Sequence, residues 1–111
     1  MGDDVIFLKK GKENKSIQKP GKLYRYMGKT KNMQAIIAEL DPNSESIWHR
    51  HDGEELHLVL EGEMEYTVGE KTYKMREGDL LWHSSTKRHR AKNTHKDKVV
   101  YITVGSPPTF K

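Results

Sequence analysis

"WHRHDGEELHLVLEG", residues 48–62, sets two histidines one residue apart, then a turn at Asp52-Gly53, then an acidic pair leading into an apolar run. Successive side chains of a strand point to opposite faces, so His49 and His51 share a face, and imidazoles on neighbouring pleats chelate one ion. A glutamate further along a straight strand would be out of reach, but the bend at Asp52-Gly53 folds one back. Parity chooses which. With Leu58 and Leu60 on the outer face and Val59 inside, Glu55 and His57 face in and Glu54 faces solvent. Two imidazoles and one carboxylate form a borderline-soft donor set suited to Fe(II), Mn(II), Ni(II), Cu(II) or Zn(II).

Outward from this stretch, the punctuation after Ser46 is regular. "SIWHRH", "EELHLVLEG", "EMEYTV", "KTYKMREG", "DLLWH", "RHRAKN" and "KVVYITVG" read as short strands parted by Asp52-Gly53, Gly69-Glu70 and the polar turn "SSTK". Even spacing with glycine at the corners predicts an all-β sandwich or barrel. Upstream, "VIFLKK" (5–10) and "KLYRYMG" (22–28) are expected as two early strands, separated by a stretch that ends in Pro20-Gly21. "NMQAIIAEL" (32–40) is expected as a strand feeding the Asp41-Pro42 turn, and "GSPPTFK" as a tail closing over an edge. The first 45 residues hold no pair of short amphipathic helices, so no helix-turn-helix and no direct DNA binding are expected.

Composition narrows the class. The 111 residues suffice for one domain, expected over 1–111 with its core at about 22–105 and N-terminal strands or an arm at 1–21. An apolar share of 33% against 32% charged suits strands that commit half their residues to an interior. No cysteine is present, which excludes disulfides, thiolate metal ligation and a cysteine nucleophile. No run approaches the roughly 20 apolar residues of a membrane span, and "MGDDVIF" lacks the pattern of a secretory signal, so a cytoplasmic location is expected. The net charge of +4 is concentrated in residues 1–32, but their lysines form no dense run and read as a solubilising surface.

"HRHDGEELHLVLEG" resembles the first motif of the cupin superfamily, with His49, His51, Glu55 and Gly62 at the motif positions, and "GDLLWHSSTKRHRAKN" resembles the second, with Gly78, His89 and Asn93. Ser84 and Thr86 depart from it, standing where the family has Pro and Gly. The resemblance runs from about Tyr24 to Phe110 and leans toward the small cupin module (cupin 2 type) found behind helix-turn-helix domains in bacterial and archaeal regulators.

That resemblance implies a double-stranded β-helix, a small jelly-roll barrel, with one divalent metal held inside by His49, His51, Glu55 and His89. It implies an ion with open positions for a small oxygen-rich ligand, an oxygenase, isomerase or decarboxylase role or a non-catalytic sensing role, and a homodimer. His57 shares the face of Glu55 and His83 that of Leu81, which makes both candidates for a supporting or general-base role. Tyr66, Tyr73 and Trp82 read as packing or dimer surface, and His95 as a solvated loop residue.

Overall fold

In the computed structural model, which describes residues 5–109, every regular element is a strand. β1 (Lys15–Lys19) and β2 (Lys22–Lys29) form a hairpin about Pro20-Gly21, and β3 (Gln34–Leu40) follows. Then come β4 (Glu54–Glu61), β5 (Glu63–Val68), β6 (Lys71–Arg76), β7 (Leu80–Ser84), β8 (His89–Lys92) and β9 (Val99–Ser106). They build a six-stranded antiparallel sheet in the order β1-β2-β3-β9-β4-β7 and a three-stranded sheet in the order β6-β5-β8. This is the all-β jelly-roll architecture expected from the sequence.

The sheets pack through alternate residues. Ala38, Leu40, Val59, Val99 and Tyr101 of the larger sheet meet Met64, Tyr66, Met75 and Ala91 of the smaller one, each no more than 4% exposed. Register places polar residues at the opposite end of the same inner face. One row runs His83–Glu55–Gly105–Gln34, and the next runs Leu81–His57–Thr103–Ile36. The interior is thus apolar at one end and imidazole-rich at the other. Two corners require glycine. At Gly62, φ is +84°, and an added Cβ would lie 2.6 Å from the Lys98 carbonyl; at Gly53, φ is +112°, and a Cβ would run into Ser106 and Pro107.

The outer face of the larger sheet is apolar too. Trp82–Leu56–Val104–Ala35 and Leu80–Leu58–Ile102–Ile37 form two adjoining rows across β7, β4, β9 and β3. Trp82 and Leu80 on the edge strand β7 are 57% and 59% exposed.

Two expected strands are absent. "VIFLKK" pairs with nothing in the sheets, and Val5, Ile6 and Phe7 are 77%, 56% and 80% exposed. Apolar residues favour a strand only where a neighbour covers them, and a turn closed by Lys12 N–H on the Lys9 carbonyl separates this segment from β1. The first strand is instead "KSIQK", held by its hairpin partner. "SIWHRH" makes a single bridge, His49 to His89, and Glu45 just before it bridges Lys92. Its partner β8 is 4 residues long and starts just after the 85–87 turn, so no continuous ladder is on offer.

The expected strand at 32–40 is present as β3. The tail runs past Gly53 as far as Thr109, and Phe110 and Lys111 lie outside the described residues. Among the described residues, no helix is long and apolar enough to cross a membrane.

Candidate metal centre

Glu55 is the hub of the polar end. It is 4% exposed, sits between His83 and Gly105 in the sheet, and meets imidazoles from three elements. Its Oε2 lies 3.3 Å from His51 Nε2, and its Oε1 lies 3.2 Å from His89 Nε2 and 3.6 Å from Nε2 of both His57 and His83. Donor atoms of His51, Glu55 and His89 fall within 4.8 Å of one another, and so do those of Glu55, His57 and His83.

Backbone carbonyls set the tautomers. His51 Nδ1 donates to the Asp52 carbonyl at 3.1 Å and His89 Nδ1 to the Lys87 carbonyl at 2.9 Å. When neutral, both rings therefore aim an Nε2 lone pair at Glu55, the outer-shell arrangement of metal-binding histidines. Two donors about 2.1 Å from one ion and at right angles are roughly 3 Å apart, which the 3.2 and 3.3 Å separations match.

His49, the remaining expected ligand, is placed differently. His49 bridges His89 through the backbone, and its ring stacks with a centroid separation of 6.1 Å from that of His89. It lines the cavity without joining the His51, Glu55 and His89 group.

Charge follows from contact. Burial alone would raise the Glu55 carboxyl, but the His89 hydrogen bond and the neighbouring imidazoles outweigh it and hold the group at about 2. His89 is raised: burial opposes its charge, while Glu55 and the Lys87 carbonyl favour it more strongly. His49 is lowered, mainly by burial.

His57 and His83 form a second, linked unit. His57 is lowered to about 3 and His83 is lowered as well, burial being the first cause for each, so both are neutral near pH 7. His83 Nδ1–H donates to the Ser84 carbonyl at 2.9 Å, leaving Nε2 to accept from His57 Nε2–H at 2.9 Å. His57 Nδ1 then accepts from the Thr103 hydroxyl at 2.7 Å. His57 lines the cavity, and His83 stands behind it at 5% exposure.

The Ser84 and Thr86 departures also have a structural account. Asn43 is the only non-glycine with positive φ among the described residues, so Thr86 avoids the left-handed region. The turn closes instead through Ser84 Oγ, 3.0 Å from Thr86 Oγ1.

The centre opens into a cavity of about 490 Å³ whose walls include Tyr24, Tyr66, Tyr101 and Thr103 and whose mouth carries Lys19 and Lys22. Tyr66, expected as packing or dimer surface, is buried and also lines the cavity, its ring centroid 4.1 Å from that of His57. Sequence reading passed over Tyr24, Tyr101, Thr103 and both lysines. No motif marks them, and only strand parity on β2 and β9 could have found those facing in. Trp82 does lie on the outer surface, donating to Glu54 Oε1 at 2.7 Å, and Tyr73 is 40% exposed. His95 meets Glu63 at 3.2 Å on the surface.

An uncharacterized protein of Archaeoglobus fulgidus is 37% identical over 59 residues, which is 53% of this chain and 56% of that protein, so the match spans little more than half of the relative's length. In fold, the chain is similar to an RmlC-like cupin from Shewanella frigidimarina (TM-score 0.81, 19% identity, 94% of this chain and 93% of the other). It is also similar to KdgF from Halomonas sp. (TM-score 0.77, 18% identity, 86% and 88% covered). A third similar structure is the cupin domain of an XRE-family transcriptional regulator from Enterobacter cloacae (TM-score 0.73, 16% identity, 80% and 99% covered). The family profile described as the cupin domain matches residues 36–105, a span that includes the whole Glu55 cluster and both motif histidine sets, and the chain accordingly belongs to the cupin family.

Proposed function

We propose that the protein binds one divalent transition metal through His51, Glu55 and His89, with His49 as fourth ligand, and that the ion presents a small oxygen-rich metabolite in the cavity. The observation that carries this reading is the convergence of donors on Glu55 with both imidazole Nδ1 atoms already committed to backbone carbonyls. The stacked ring of His49 has to turn inward to complete the set. Three neutral imidazoles and one carboxylate suit Fe, Mn, Ni, Cu or Zn, and such an ion, when bound, supplies Lewis acidity to enol, carboxylate or hydroxy-keto oxygens. His57, fixed in one tautomer by His83 and Thr103, lines the cavity with both ring nitrogens engaged and so acts by holding the wall beside the ligand in place. Oxygenase, isomerase and decarboxylase chemistry are all compatible with this donor set.

Elemental analysis of protein purified from metal-supplemented cells should find about one equivalent per chain, and His51→Ala and His89→Ala should each lose most of it. A wild-type chain that takes up no transition metal would sink the reading.

A second reading is a ligand-sensing module that grips an effector without turning it over. It is favoured by the likeness in fold to the regulator cupin domain. Metal-dependent product formation separates the two: an enzyme shows it and a sensor binds without it.

We further propose a cytoplasmic protein, one cupin domain over 1–111, that pairs as a homodimer through the apolar rows on the outer sheet face. A two-fold interface lets this patch cover itself, and β7 is a sheet edge that a second copy would extend. Sedimentation should give twice the 12.9 kDa chain mass. The Leu58→Glu, Trp82→Glu variant should sediment as a folded monomer; a wild-type monomer at ~100 µM would exclude the pairing.

A further inference from the structure

Lys19 and Lys22 are cross-strand partners at the tip of the β1–β2 hairpin, held there by the Pro20-Gly21 turn. Both line the cavity that contains Glu55. The other cations near acids are committed: Arg25 and Lys98 to Glu39, Arg76 to Glu63, and Arg90 and Lys92 to Glu45. Lys19 and Lys22 have no carboxylate partner among the described residues.

The lining is unbalanced. Glu55 is its only carboxylate among the described residues, and the imidazoles already engage it. Two ammonium groups therefore face one committed carboxylate, and a divalent ion adds two further positive charges. In a partly apolar cavity such an excess is screened less than in water, so it selects for negative charge in whatever enters. Tyr24 and Tyr101 add phenols that burial keeps protonated, so the cavity walls also carry hydrogen-bond donors.

We infer that the cavity takes a small organic diacid, its oxygen-chelating end at the Glu55 centre and its distal carboxylate between Lys19 and Lys22. The inference rests on the metal reading for its inner end and for part of the positive charge. A lone carboxylate at the metal would leave the mouth charges unanswered, and a neutral polyol would answer neither.

The test is a calorimetric titration of the metal-loaded full chain with three pairs of hydroxy acids that differ only at the far end. These are malate against 2-hydroxybutanoate, 2-hydroxyglutarate against 2-hydroxypentanoate, and 2-hydroxyadipate against 2-hydroxyhexanoate. At least one diacid should bind 10-fold or more tightly than its monoacid partner, and raised salt should shrink that advantage. In the Lys19→Met, Lys22→Met variant the advantage should fall below 3-fold while metal content stays at wild-type level. Both lysines sit at a hairpin tip, and the measured metal content reports that the variant is folded.

Three results would each overturn the inference: no diacid exceeding its partner by 3-fold, no diacid binding at millimolar concentration, or an advantage that survives the double substitution. Metal content is measured before any acid is added. A chain without metal defeats the metal reading, whereas a metal-loaded chain indifferent to the distal carboxylate defeats this inference alone.

Discussion

Metal-supplemented Glu55→Gln protein should bind a divalent transition metal at least about 10³-fold more weakly than wild type, roughly 4 kcal/mol of affinity. The amide keeps the size of the side chain and can still offer an oxygen, so the loss isolates charge. Among the described cavity-lining residues Glu55 is the only anion, and its Oε2 meets His51 while its Oε1 meets His89. Without it, neutral imidazoles alone would have to compensate an ion's lost hydration. The fold should persist, because the cluster sits at the polar end of the interior, away from the Leu40, Val59 and Met64 core. Glu54→Gln is the matched control. Its carboxylate faces outward and accepts from Trp82 Nε1 at 2.7 Å, so its metal affinity should stay within about 2-fold of wild type. Competition against a chromophoric chelator, with circular dichroism on the same samples, measures both. A loss below 10-fold in Glu55→Gln would show that the carboxylate is not a ligand.

The assignment of Glu55 rather than Glu54 to the interior was legible because strand parity is a strict rule wherever one face is buried. β4 alternates as expected, with Glu55, His57 and Val59 buried and Leu60 exposed. Parity fails where the ladder fails. Residues 46–51 were read as a strand, yet they run beside β8 with one isolated bridge, and on that path His51 joins the centre while His49 remains stacked on His89. No local pattern reports whether a partner strand is long enough. The "VIFLKK" expectation failed for the same reason: propensity lies in the segment, but the neighbour that would satisfy it does not. The His57–His83 contact spans 26 positions and depends on β4 and β7 being adjacent, so sequence could assign each histidine to a face without pairing them.

The metal-free protein should lose several kcal/mol of stability between about pH 6.5 and pH 4, and the sign follows from which state holds the protons. His57 has an ordinary value of 6.5 that burial depresses to about 3 in the fold. Across that window the unfolded chain binds a proton that the folded chain refuses, so stability falls as pH falls, by up to about 1.4 kcal/mol per pH unit for one such group. His83 and His49 are lowered too and act in the same direction. Glu55, lowered from 4.5 to about 2, adds a further loss as pH drops below 4.5. His89 opposes them. Its raised value contributes stability that is complete below about pH 6.5 and lost as pH rises through its folded value, so it is constant across the acid decline and acts against the others only above about pH 6.5. Urea unfolding in chelator at about pH 7.5, 6.5, 5.5 and 4.5 should show this decline. His57→Gln, which keeps hydrogen-bonding atoms near Thr103 and His83 but does not titrate, should start less stable at pH 7.5 and decline less steeply. A flat wild-type profile over the same range would mean that His57 takes up a proton in the fold, and its Nδ1–H would then donate to the Thr103 hydroxyl while Nε2–H still donates to His83.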